Sequence, residues 1–234
     1  MSDHKTIGLI GGLSPESTVH YYSRICRNYN QAMGKLNFPR IILESVNLQV
    51  FTECFARNDW DQVGEMLLAA LARLKGAGAD FAAILANTPH HAWEQIAERT
   101  PLKVLTIMEA TADALKKDQL KNVLLLGTRA TMESGFFQHY FEGVGITSTM
   151  PNEKDRQELD RIVWEELSHG NVLESSRSFA RTMIATLIEG GAEAVVLACT
   201  ELEMLIQQED SSKPLYDTMR IHADAILEYA ISAV

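Results

Sequence analysis

Gly78-Ala79-Asp80-Phe81-Ala82-Ala83-Ile84-Leu85-Ala86-Asn87-Thr88 and Gly191-Ala192-Glu193-Ala194-Val195-Val196-Leu197-Ala198-Cys199-Thr200-Glu201 are two versions of one plan. Each leaves a glycine, runs through small and apolar residues and ends in a polar turn, the pattern of a strand buried on both faces. Placing Gly78 on Gly191 aligns them without a gap and sets Ala86 opposite Cys199. Two related halves built on these strands therefore offer one methyl and one thiol at equivalent positions.

The flanking sequence repeats as well. Lys5-Thr6-Ile7-Gly8-Leu9-Ile10-Gly11-Gly12 reads as a buried strand closed by a glycine turn, and Lys121-Asn122-Val123-Leu124-Leu125-Leu126-Gly127-Thr128 follows the same scheme. A third echo links Lys103–Leu115, with Ala112-Asp113-Ala114, to Lys213–Ile226, with Ala223-Asp224-Ala225. Similarity at half-chain spacing points to a duplicated α/β unit. Strands are expected near 7–11, 40–46, 81–86, 103–107, 122–126, 144–148, 194–199 and 214–216. Helices are expected near 15–33, 59–76, 90–98, 109–117, 132–142, 153–168, 172–189, 201–207 and 218–232. The alternation predicts parallel sheets covered by helices. The first α/β domain is expected to comprise 1–101 plus 212–234, and the second 102–211.

Composition narrows the function. The 234 residues are 46% hydrophobic, enough for real cores, and the formal net charge is −10 with no basic run. That balance argues against nucleic acid and acidic membrane surfaces as partners. No apolar stretch reaches membrane-spanning length, and the opening Met1-Ser2-Asp3-His4-Lys5 leads into a strand rather than a signal segment, so a cytoplasmic location is expected. Cys26, Cys54 and Cys199 show no metal spacing and leave an odd thiol, which suits a reducing compartment.

In parallel α/β sheets, ligands bind beyond the carboxyl ends of the strands. Gly11-Gly12-Leu13-Ser14-Pro15 reads there as strand, tight turn and helix cap, either an ordinary helix start or a carboxylate cradle. The glycines at 8, 11 and 12 do not spell a dinucleotide fingerprint. Cys199 reads either as a small buried residue or as a reactive thiol, and a following helix would favour its thiolate. Cys26 and Cys54 read as structural. His90 and His91 follow Asn87-Thr88-Pro89 at the equivalent turn; adjacent histidines diverge on a helix and no third ligand has suitable spacing, so no metal is expected. His90 serves either the site or local packing, as does His222.

Taken together, Ile7–Gly12 with Ser14, Glu16, Ser17 and Thr18, the Asn87-Thr88-Pro89-His90 turn, Leu126-Gly127-Thr128 with Thr131 and Met132, Cys199-Thr200-Glu201, and Asp217-Thr218 with Ile221 and His222 resemble the aspartate/glutamate racemase superfamily, in particular its aspartate racemase branch. The resemblance spans essentially the whole chain. It implies two pseudo-symmetric flavodoxin-like α/β domains with parallel sheets and a site in the cleft between them, a cofactor-independent isomerase and a homodimer. It further implies catalysis by two thiols, one removing the α-proton and the other returning a proton to the opposite face. The first of these thiols would precede Asn87-Thr88, where this chain has Ala86.

The resemblance, joined to the residue reading, makes Cys199, Thr88 and His90 the candidate catalytic residues. Gly11, Gly12, Ser14, Gln49, Asn87, Thr88, Thr128, Thr131, Thr200 and Glu201 are the candidate binding residues for an amino-acid or dicarboxylate substrate. Amide and hydroxyl donors would stabilise an enediolate formed without cofactor or metal. The family's basic residues for a distal carboxylate are replaced by Gln49 and Glu53 in one region and Ser168 in the other, with Arg129 as a possible substitute or a solvated residue. Three readings stand: a racemase with one thiol and a weaker partner group; a one-thiol enzyme protonating a carbanion, as in the similar arylmalonate decarboxylases; and a non-catalytic binder of carboxylates.

Overall fold

In a computed structural model, which describes residues 4–232, the chain forms two compact α/β units. One comprises the residues up to Ile107 and those from His222 onward; the other is Met108–Ile221. Met1–Asp3 of the opening, and residues 233–234 at the far end of the expected first domain, lie outside the described residues.

The first unit has four parallel strands, β1 (Ile7–Gly11), β2 (Ile41–Ser45), β3 (Phe81–Ile84) and β4 (Val104–Leu105), in the order β2-β1-β3-β4. The second has β5 (Asn122–Gly127), β6 (Thr147–Thr149), β7 (Ala194–Ala198) and β8 (Leu215–Asp217), in the order β6-β5-β7-β8. Both sheets thus have the 2-1-3-4 order of flavodoxin-like folds. Because β4 pairs with β3 and β8 with β7, the chain crosses between units later than the expected boundaries at 101/102 and 211/212.

The repeat extends to single atoms. Gly78 and Gly191 both take positive φ, 95° and 107°, turning the chain into β3 and β7. Two residues on, Asp80 Oδ2 accepts the Thr6 amide at 2.6 Å, while Glu193 Oε2 accepts the Lys121 and Asn122 amides at 2.8 Å. Equivalent acids therefore hold the starts of the two central strands.

Helices α1 (Pro15–Met33), α2 (Leu48–Ala56), α3 (Trp60–Gly76), α4 (Trp93–Ile96), α5 (Ile107–Lys117), α6 (Arg129–Glu133), α7 (Phe136–Gly143), α8 (Glu153–Arg161), α9 (Glu174–Glu189), α10 (Leu202–Leu205) and α11 (Thr218–Ile231) connect the strands. On α3, Val63, Leu67, Ala70, Leu71 and Leu74 recur at helical spacing and pack with Ile10, Ala82 and Ile84. The second core joins Leu124, Leu126, Val195 and Leu197 to Leu159, Ile162, Val163, Met183 and Ile184.

Three elements differ from the sequence expectation. Helix α2 occupies a stretch for which no helix range was expected, started by Asn47, whose side chain accepts the Gln49 amide. The helix expected over 132–142 is broken by Gly135 at φ 80° into α6 and α7. The helix expected over 153–168 widens into a π-turn at Ile162–Glu166 and tightens into a 3₁₀ turn at Leu167–His169.

Candidate active site

The topological switch of each sheet lies between its two central strands, β1 and β3 or β5 and β7. Loops leaving those strands form the crevice where such sheets bind ligands. In the first unit they are Gly11–Ser14 and Ala86–Thr88; in the second, Thr128–Thr131 and Cys199–Glu201. The topology thus gathers most of the expected site residues into two strand-end groups, one on each unit.

The glycines of the first turn are sterically required. A Cβ on Gly11 would lie 2.6 Å from Thr18 Cγ2, and one on Gly12, whose φ is +81°, 2.3 Å from the Val46 carbonyl oxygen. The Gly12 amide donates to Thr18 Oγ1 at 2.8 Å, and that hydroxyl donates to the Ser14 carbonyl at 2.8 Å. Ser14 Oγ caps α1 by accepting the Ser17 amide at 3.2 Å. The Gly12 amide and Ser14 hydroxyl, read as substrate donors and acceptors, are therefore engaged in building the turn. Gln49 is exposed near the start of α2, and its side-chain amide donates to Glu53 at 3.1 Å.

After β3, half-buried Ala86 is followed by buried Asn87 and half-buried Thr88, where a 3₁₀ turn starts. Of the two readings of His90, site or local packing, its contacts favour packing. It is 1% exposed; the Ile107 amide donates to Nε2 at 3.4 Å, and Nδ1 lies 2.8 Å from the Ala86 carbonyl. These partners require a neutral ring with its proton on Nδ1. Burial holds its pKa down to about 4. His90 therefore fastens the Ala86 turn to the start of α5. His222, fully buried, places Nε2 2.9 Å from the Leu105 carbonyl and Nδ1 3.0 Å from the Tyr21 hydroxyl. Its pKa is lowered to about 3, first by burial and then by His90. Tyr21 and His222, 201 positions apart, form a pairing that no local sequence signal discloses.

In the second unit Thr128 caps α6, its Oγ1 accepting the Thr131 amide at 3.3 Å and lying 3.1 Å from Thr131 Oγ1. Thr131 is buried, and its Cβ would stand 3.2 Å from a Cβ placed on Gly127, the counterpart of Gly11. Arg129 is exposed and paired with Glu133 at 2.9 Å.

Cys199 directly follows β7 and is 8% exposed. Its Sγ donates to Glu201 Oε2 at 3.1 Å, and Thr200 Oγ1 donates to the same oxygen at 2.8 Å. Burial, then the charge and hydrogen bond of Glu201, push the thiol pKa well above its ordinary value, outweighing the nearby Glu201 and Leu202 amides. The resting group is a protonated thiol, whereas a helix-stabilised thiolate was expected; α10, at four residues, adds little field. Glu201, a candidate binding residue, is thus in direct contact with the thiol.

Beside β7, Asp217 ends β8 and accepts the Met219 and Arg220 amides at 2.9 and 3.2 Å. Arg220 pairs with both Glu203 and Asp217. Burial and the proximity of Glu203 push the Asp217 pKa up to about 7. Asp217 and Arg220 are local neighbours, but Glu203 was not linked to them from the sequence, because it comes beside them only where β7 pairs with β8. Among the described residues no group of three or more His, Cys, Asp or Glu is set to hold a metal ion, and no helix is long and apolar enough to cross a membrane.

Known proteins share this arrangement. A candidate Asp/Glu racemase from Yersinia pestis is 37% identical, with 97% of this chain and 100% of that chain covered at a TM-score of 0.94. An aspartate racemase homologue from Pyrococcus horikoshii OT3 is 34% identical, with 97% and 99% covered at a TM-score of 0.86. The broad specificity amino-acid racemase RacX of Bacillus subtilis is 21% identical over 215 residues, 91% of this chain and 92% of that protein. The family model described as Asp/Glu/Hydantoin racemase matches residues 10–226, and the chain accordingly belongs to that family and, with it, to the isomerases.

Proposed function

We propose that the protein is a cofactor-independent amino-acid racemase in which the Cys199 thiol serves one face of the α-carbon. The observation that supports this reading is the Cys199 Sγ to Glu201 Oε2 hydrogen bond of 3.1 Å, at a strand end of the kind beyond which parallel α/β sheets bind ligands. Glu201 takes the thiol proton, and the resulting thiolate removes the proton from the α-carbon. The electron pair of that C–H bond moves into the carboxylate as an enediolate, which hydroxyl and amide donors stabilise. Asn87, Thr88, Thr128 and Thr200 are the proposed donors.

For the other face, the residue of the first unit equivalent to Cys199 is Ala86, and a methyl transfers no proton. Thr88, acting through water, is the proposed partner there, so interconversion of enantiomers is slower than α-proton exchange. Cytoplasmic residence and homodimeric assembly belong to the same reading and are supported by family likeness. The protonated resting thiol also favours a second reading, in which Cys199 delivers its proton to a carbanion left by decarboxylation of a malonate-like acid. Such a reaction needs one face only.

Proton NMR of amino-acid enantiomers in heavy water, with wild type and Cys199→Ala, tests the proposal. Loss of the α-proton signal only with wild type, followed by the opposite enantiomer on chiral chromatography, is the expected result. Carbon dioxide release from a malonate-like acid without α-exchange selects the second reading. Stabilisation by a carboxylate with neither reaction selects a non-catalytic binder.

A further inference from the structure

At the carboxyl edge of the first sheet, the loops after β1, β2 and β3, residues 12–18, 46–53 and 85–92, contain no lysine or arginine. Their carboxylates are Glu16 and Glu53, both exposed, and burial lowers the pKa of His90 and of His91. The same edge carries half-buried Leu13 and Val46, Val50 at 43% exposure and the Gln49 amide. Three amides of this edge already have side-chain partners: those of Gly12, Ser17 and Gln49 are bound by Thr18, Ser14 and Asn47.

In the second unit, the arginines of the strand-end segments already face carboxylates. Arg129 and Arg156 pair with Glu133, and Arg220 with Glu203 and Asp217. Lys154 is exposed in the first turn of α8. Glu201 lies against the thiol itself. A second substrate carboxylate would lose water without gaining a counter-charge and would be repelled by these acids.

We infer that the substrate amino acid carries an uncharged side chain, apolar or amide- or hydroxyl-bearing, rather than a second carboxylate. This rests on the racemase reading and narrows its substrate class.

The test measures Cys199-dependent α-proton exchange and thermal stabilisation with L-methionine, L-glutamine, L-aspartate, L-glutamate and L-lysine. At least one neutral amino acid is expected to exceed both dicarboxylates and lysine in kcat/KM by about tenfold or more. Gln49→Arg is expected to raise aspartate relative to methionine by about tenfold. Equal or better exchange of aspartate, glutamate or lysine overturns the inference and leaves the racemase reading standing. No exchange with any of the five overturns the racemase reading, and thermal stabilisation then decides the inference. Greater stabilisation by a neutral amino acid supports it; greater stabilisation by a charged one, or none by any, overturns it.

Discussion

At the scale of single residues, the asymmetry between Ala86 and Cys199 and the bond from Cys199 to Glu201 generate separable expectations. Glu201→Gln leaves the thiol with an amide neighbour that is a poor proton acceptor. Its kcat for exchange should fall by about 10²-fold with little change in KM, as read from initial rates. An unchanged kcat would remove Glu201 from proton transfer. Ala86→Cys restores a second acid at the equivalent strand end and should raise the ratio of racemisation to exchange. A ratio that stays constant while the variant remains folded would show that the first turn does not meet the α-carbon. Cys199, Thr200 and Glu201 were legible in the sequence because the contacts defining their site lie within three consecutive residues. The two readings of His90 could not be separated in the sequence because its ring partner is Ile107, 17 positions away, whose amide donates to Nε2.

At the scale of elements, the glycine turn after β1 is a steric requirement that can be measured. Gly12→Ala must accept a positive φ and a Cβ 2.3 Å from the Val46 oxygen, so it should lower stability by about 2 kcal/mol or more in urea unfolding. Gly143→Ala, at the end of α7 with nothing within 4 Å of its added Cβ and no positive φ, should be neutral or stabilise by up to about 1 kcal/mol. Equal losses in the two variants would show that the Gly12 turn relaxes. The strands were readable because their apolar runs are short and bounded by glycine and polar turns. Helix α2 was missed because its run of Val50, Phe51, Thr52, Cys54 and Phe55 does not favour a helix by propensity. It is held by the Asn47 cap and by burial of Phe51 and Cys54 in the first core.

At the scale of the whole molecule, the buried ionisable groups set a pH dependence of stability. His90 and His222 have folded pKa values near 4 and 3, against an ordinary 6.5. Between about pH 4 and 6.5 the unfolded chain therefore binds more protons at these sites, and their stabilisation is lost as pH falls. Asp217 has the opposite sign. Its folded pKa near 7, against 3.8, gives stability at low pH that is lost as pH rises toward 7. The lowered histidines outweigh the one raised aspartate, so stability is lost on acidification through that window, on the order of 1 kcal/mol per pH unit. Urea midpoints at pH 5 and pH 7 measure it, and His222→Gln should flatten the dependence. A wild-type midpoint independent of pH would mean that the rings charge within the fold. The duplicated architecture was visible from the chain alone because equivalent glycines and acids recur in the same order at half-chain spacing. The crossing points were not, because β4 and β8 are two- and three-residue strands assigned to a sheet by pairing rather than by composition.

The Glu201-bound thiol has a consequence for chemical durability. Alkylating agents and peroxides attack thiolates, and a protonated sulfur with 8% of its residue exposed offers them little. Cys199 should label with iodoacetamide more slowly than an unfolded cysteine by at least about tenfold at neutral pH, as mass spectrometry of timed aliquots would measure. Under the proposed mechanism, Cys199 would then survive oxidative stress in its resting form and become vulnerable mainly during the moments when its proton has been taken.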